Sequence, residues 1–217
     1  MSSAYDTLQD YTGEDTMTTI PIRVIAVALS ITFGSVGCAD ATKPSAKDQG
    51  VSGTISLSAP MADGKRWTTA NLNVNASPSY SYDDAEPNCR KYGRLYSWES
   101  AQRVCQLVGD GWRLPTDGEW RQMAKHYGGV SDDSADKGSA AFTALVSGGT
   151  AGFNAVLGGN RSDGKYARLE AHGFYWTASD NDPDSAPFYN FGQNGQALHR
   201  QPDGEKQMAI SVRCIRE

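Results

Sequence analysis

The apolar residues of this chain change period part-way along it, and that change sets the class of fold. Trp98, Ala101, Cys105 and Val108 recur at helical spacing, and Gly109 closes the run. Thr116-Asp117-Gly118-Glu119 opens a second helix as a capping box, in which the Thr hydroxyl and the Glu carboxylate each satisfy a backbone N–H of the first turn. Trp120, Met123, Ala124 and Tyr127 form its apolar stripe, and Gly128-Gly129 ends it. A shorter helix is expected over Ser139–Val146. Past Gly173 the pattern turns to strands, expected over Phe174–Ser179 and Phe188–Gly192. Asn194-Gly195 predicts a type I′ turn leading into Gln196–Gln201. Pro202-Asp203-Gly204 predicts another turn, into a strand over Gln207–Ile215 whose Met208, Ile210, Val212 and Cys214 share one face. Upstream, Val51, Gly53, Ile55 and Leu57 alternate with polar residues as an opening strand. A second strand is expected over Trp67–Val74, after an Asp63-Gly64 turn, and Ala76–Tyr92 reads as an irregular loop. Helices early and an antiparallel meander late make an α+β domain.

The N-terminal stretch points to export. Arg23 precedes an apolar run, Val24–Phe33, that is too short to span a bilayer and has the length of a signal-peptide core. Gly34-Ser35-Val36-Gly37-Cys38 follows, a small residue before cysteine that resembles the bacterial lipobox, in which the thiol is lipidated. Residues 1–37 therefore read as a leader, with Met17 a candidate start because the residues before it are polar and acidic. Residues 38–50 read as a tether between a lipid on Cys38 and the domain of residues 51–217. Such a protein is expected at the cell envelope, at the outer membrane or cell surface, held by its lipid.

Composition narrows the partners. Hydrophobic content of 39% with 21% charged residues suits a buried core. The net charge of −5 falls on 25 acids and 20 bases; the leader holds four of the acids and one of the bases, leaving 21 and 19. A near-neutral domain offers no electrostatic attraction to nucleic acid.

Several motifs then occur in order. Asn88-Cys89-Arg90-Lys91-Tyr92-Gly93-Arg94-Leu95-Tyr96-Ser97-Trp98 is followed by Gly111-Trp112-Arg113-Leu114-Pro115-Thr116-Asp117 with Glu119-Trp120. Gly173-Phe174-Tyr175-Trp176-Thr177-Ala178-Ser179 comes next, and Ser211-Val212-Arg213-Cys214 closes the chain. Over residues 60–217 this resembles the Fibrobacter succinogenes major paralogous domain family. The resemblance implies a C-type-lectin-like fold in the group related to formylglycine-generating enzyme. It also implies similarity to the variable proteins of diversity-generating retroelements. It does not imply an activity, because that fold hosts enzymes, lectins and protein binders alike.

Cys105 and Cys214 both fall on apolar faces, and a disulfide between them would staple the domain in an oxidising compartment. That pairing matches the helix-to-last-strand disulfide of C-type-lectin-like domains. Cys89 is then a candidate free thiol, because Ser81 stands where the family often has a second cysteine. A Cys89–Cys105 link is the alternative pairing.

Catalysis finds little support. Copper and oxygen chemistry of the kind used by relatives of formylglycine-generating enzyme needs two thiols converging in a cleft. His126, His172 and His199 are scattered and build no metal site on one helix face. Glu86-Pro87-Asn88 and Gln201-Pro202-Asp203 are lectin-type tripeptides, but no Trp-Asn-Asp accompanies them and the calcium site lacks converging oxygens. No metal or cofactor is expected. Trp98, Trp120 and Trp176 sit on periodic apolar faces and are expected in the core.

What remains is a polar and aromatic set near the C-terminus: Asp180, Asp182, Asp184, Phe188, Asn190, Gln193, His199 and Gln201. Binding surfaces favour that mixture. The expectation is a surface lipoprotein that binds a protein or glycan without catalysis. An enzyme-like member of the formylglycine-generating enzyme group and a structural envelope protein are the alternatives.

Overall fold

A computed structural model describes residues 58–217. The leader, Cys38, the tether and the strand expected over residues 51–57 lie outside the described residues. Two short strands open the fold, β1 (Ser58–Pro60) and β2 (Arg66–Thr68). Then come β3 (Ser79–Tyr80), α1 (Glu86–Tyr92), β4 (Leu95–Tyr96) and α2 (Trp98–Val104), which a 3-10 turn extends over Cys105–Val108. Two further helices follow, α3 (Asp117–Lys125) and α4 (Ser139–Leu145). The last part is β5 (Gly158–Ser162), β6 (Lys165–Leu169), β7 (His172–Trp176), β8 (Ser185–Gly192), β9 (Ala197–Glu205) and β10 (Ile215–Arg216).

The class is α+β, as the change of period requires. Strands β6-β5-β7-β8-β9 make a five-stranded sheet, antiparallel except where β5 meets β7. A three-stranded sheet joins β1, β2 and β10 and brings the start of the described chain beside its end, with Ile215 opposite Trp67. β3 and β4 form a small third sheet. Tyr175, Tyr189, Phe191 and Leu198 point from one side of the large sheet into a core completed by Trp120, Phe142 and Phe153. Trp120 stacks on Tyr189 with ring centroids 5.0 Å apart. On the other side, Trp176 is fully buried with Tyr96, Trp112, Ile210 and Val212. Trp120 and Trp176 are core anchors as expected, whereas Trp98 is half-buried at the edge of that second cluster.

The capping box forms as read. Thr116 Oγ1 accepts from Glu119 N–H at 3.3 Å, and Thr116 N–H donates to Glu119 Oε2 at 2.9 Å. Glu119 also takes two bonds from Arg113, at 2.6 and 2.7 Å. That bidentate pair, with the cap, holds the Glu119 carboxyl down to about 2.

Five expectations about elements need correction. Ala76–Tyr92 is not wholly irregular: α1 starts at Glu86, with Pro87 in its first turn, where the missing N–H costs nothing. Strand β2 ends at Thr68, since the chain beyond it meets residues 212–214 through single hydrogen bonds only. The β8–β9 turn spans residues 193–196, and only Gln196 has positive φ (44°), so it is not type I′. A four-residue loop makes the connection instead, with Gln196 N–H donating to the Gln193 carbonyl at 3.3 Å. Pro202-Asp203-Gly204 does not turn but continues β9. Because β9 is the edge of the sheet, proline removes no ladder bond there. Finally, Gln207–Ile215 is no continuous strand. Ala209 bridges Arg161, Ile210 bridges Tyr96 and Ser211 bridges Tyr175, so the segment changes partner residue by residue as it threads between sheets.

Arg213 is the least exposed charge of that segment, fully buried among uncharged oxygens. Its guanidinium donates to Asn71 Oδ1 (2.8 Å) and to the carbonyls of Thr68 (2.8 Å), Phe153 (2.7 Å) and Asn154 (2.7 Å). It lies over the Phe153 ring at 4.5 Å. Cys105 and Cys214 are joined by a disulfide, as the two apolar faces suggested. Cys89 is not a free thiol: it stands in a disulfide, and no described cysteine is free. Ser81 Oγ lies 2.6 Å from Cys89 Sγ.

Candidate ligand-binding face

The eight residues singled out near the C-terminus do not form one set. Four share one face of β8 and β9. Asn190 lies opposite His199 and Phe188 opposite Gln201, as direct cross-strand pairs. All four are half-buried, while their neighbours Tyr189, Phe191 and Leu198 face the core. The face continues onto β7, where His172 and Phe174 stack at 5.3 Å and Phe174 is paired with Asn190. Asn190 Oδ1 lies 2.9 Å from His172 Nδ1, and His199 Nδ1 lies 2.8 Å from Ser131 Oγ. The two imidazoles are thereby oriented with part of each ring outward. Phe188 packs edge-on against Phe174 (5.8 Å) and Trp176 (6.0 Å), so it anchors the face as well as contributing to it.

The acidic residues are employed differently. Asp182 accepts from Asp184 N–H (2.8 Å), Ser185 N–H (2.7 Å) and the Ser185 hydroxyl (2.5 Å). These bonds, the hydroxyl's first, hold its carboxyl below the usual range. It shapes the 180–185 loop. Asp180 accepts from Lys206 Nζ at 2.5 Å, and the same ammonium reaches the carbonyls of Asp182 and Pro183, so all three of its protons are placed. Asp184 is exposed and lines a hollow of about 570 Å³ with Ser97, Trp98 and Lys206. Lys206 lies over the Trp98 ring at 4.5 Å, and Trp98 Nε1 already donates to the Thr177 carbonyl at 2.9 Å. The Lys206 ammonium and the Trp98 N–H of this hollow are thus already bonded. Gln193 is exposed in the β8–β9 turn, away from the four strand residues.

Sequence reading passed over the β5–β6 hairpin altogether. Its signal was present in Asp163-Gly164, where φ is 48° and 75°, both positive as a two-residue type I′ turn demands. A Cβ on Gly159 would lie 2.5 Å from the Ala167 carbonyl and 2.8 Å from the Tyr82 ring, so only glycine fits that close approach. The hairpin brings Asn160, Ser162 and Arg168 alongside Phe188. Together with Asp203, Glu205 and Met208 from the end of β9 and the following turn, they line a recess of about 380 Å³. The Arg168 guanidinium extends over the Phe174 ring at 5.7 Å, which joins the recess to the β7–β9 face.

No curated protein and no solved structure matches this chain. Residues 56–216, which include the four segments that carry the resemblance, match the sequence model of the Fibrobacter succinogenes major domain, and the chain belongs to that family.

Proposed function

We propose that this protein is an exported binding protein whose domain has a C-type-lectin-like fold. On this reading its β7–β9 face captures a surface protein or glycan without catalysis. The observation that carries the reading is the arrangement of Phe188, Asn190, His199 and Gln201. They come as two cross-strand pairs on a hydrogen-bonded ladder whose opposite side is locked into the core. Backbone order of that kind keeps the entropy cost of binding low while outward side chains remain free to differ. The same organisation suits a segment diversified by a retroelement. The α+β class and the disulfide from the α2 end to Cys214 support the lectin-like assignment. The enzyme-like alternative asks for free thiols, and Cys105, Cys214 and Cys89 are all in disulfides.

On an array of purified envelope proteins and glycans, the protein should show saturable retention on particular spots. Asn190→Ala with His199→Ala should weaken that retention at least tenfold. Equal retention by the double variant would move the binding surface elsewhere. Whether Cys38 carries a lipid is tested separately, because Cys89 stands in a disulfide and Cys38 is the remaining cysteine of the sequence. A peptide map joining Cys38 to Cys89 excludes the lipid, whereas release of the Cys38→Ser protein from membranes would establish it.

A further inference from the structure

We propose that the hollow between the start of α2 and the 180–185 loop receives an arginine side chain of a partner protein. It shares no residue with the β7–β9 face and goes beyond the reading of that face. The charges around it do not balance. Glu99 is bonded to Arg103 at 2.6 Å, and the Lys206 ammonium to Asp180 at 2.5 Å. The other two carboxylates of the lining, Asp184 and Glu205, are exposed and have no cationic partner among the described residues. Ser185 pairs with Glu205 across β8 and β9, and Lys206 N–H donates to the Asp184 carbonyl at 2.9 Å. The backbones that carry the two carboxylates are thereby held side by side.

A hydroxyl is also left over. Ser97 stands at the N-cap of α2, where a serine side chain ordinarily accepts from the first turn. Here it caps nothing and makes no side-chain hydrogen bond among the described residues. The residue is only 7% exposed and lines the hollow, and its oxygen is not among those sealed from solvent, so a ligand seated there can reach it. Two uncompensated carboxylates repel an anion and attract a cation. A metal ion is a poor occupant, since no group of three or more His, Cys, Asp or Glu among the described residues could hold one. A guanidinium suits the lining, because five N–H groups in a fixed fork serve two separate carboxylates and a hydroxyl at once. Its alkyl stem packs on Pro78, Pro183 and the Trp98 ring. Free arginine fits less well: with the Lys206 protons placed, no cation of the lining remains for its α-carboxylate. The side chain therefore arrives on a polypeptide.

The test titrates the full chain with N-acetyl-arginine amide, followed by ligand-observed NMR. N-acetyl-citrulline amide (its neutral isostere), N-acetyl-lysine amide and free arginine are the comparisons. The arginine amide should saturate, at least tenfold more tightly than the citrulline amide and more tightly than the other two. Asp184→Asn with Glu205→Gln should weaken it at least tenfold. Ser97→Ala should weaken it several-fold at unchanged Tm, since the hydroxyl makes no bond within the fold. The Asn190/His199 double variant should bind it as the parent does. The site is overturned if the arginine amide does not saturate, if the citrulline amide matches it, or if the carboxylate variant binds as the parent does. A lower Tm for Ser97→Ala would make that hydroxyl structural and overturn it too. Tighter binding of the lysine amide overturns the choice of a guanidinium, and tighter binding of free arginine overturns the protein source. Loss of binding in the Asn190/His199 variant overturns the separation of the hollow from the β7–β9 face.

Discussion

Single residues in this domain divide between those that hold the backbone and those that are left over for a partner, and residue type alone does not tell them apart. Asp182 looks as available as Asp184 in the sequence, yet three bonds tie it into its own loop. Glu119 was legible, because a capping box is a spacing of three residues. Arg213 was not, since its acceptors at Thr68, Asn71, Phe153 and Asn154 lie 59 to 145 positions away. Replacing Arg213 with Ala should destabilise the fold by about 3–5 kcal/mol in urea titrations, because the acceptors around it stay buried without donors. A loss under about 1 kcal/mol would contradict its role as the tie between segments. Glu119 makes a statement about pH. Its folded pKa of about 2 lies below the unfolded value, so its contribution is full above about pH 4.5 and disappears as pH falls towards 2. Glu119→Gln should therefore flatten the acid limb of a stability–pH curve between those values and lower stability at pH 7. An unchanged acid limb would refute the assignment.

At the scale of elements, periodic signals survived and changes of partner did not. α2, α3, α4 and the β7 and β8 strands followed from apolar spacing and caps. The 209–214 segment kept its expected buried residues, Ile210, Val212 and Cys214, but lost its ladder, because each residue bonds to a different neighbour. The β5–β6 hairpin was missed because Gly158-Gly159 breaks any apolar alternation. Its turn residues carried the only local signal, and with the hairpin went half of the recess. The Cys105–Cys214 link joins elements 109 positions apart, so opening it restores a large amount of chain freedom to the unfolded state. Changing both cysteines to Ser should cost about 2–5 kcal/mol in equilibrium unfolding. A variant of parental stability would show that the burial around these sulfurs, rather than the bond, carries the effect.

For the whole molecule, the account is that one sheet carries a core on each side and that binding uses what the second core leaves uncovered. One side packs Tyr175, Tyr189, Phe191 and Leu198; the other buries Phe174 and Trp176 with Tyr96 and Ile210 and, along the same strands, keeps Asn190, His199 and Gln201 half-exposed beside the anchoring Phe188. Binding should therefore be removable without unfolding the domain. The direct measurement is array retention and thermal unfolding of one triple variant, Asn190→Ala, His199→Ala and Gln201→Ala, with Phe188 kept because it packs on Trp176. Two half-exposed hydrogen bonds are lost, at about 1 kcal/mol each, and each kcal/mol shifts Tm by about 2–4 °C in a domain of this size. The account predicts retention reduced at least tenfold on every spot that holds the parent, with Tm lowered by less than about 8 °C. Retention at parental strength with Tm preserved would contradict it.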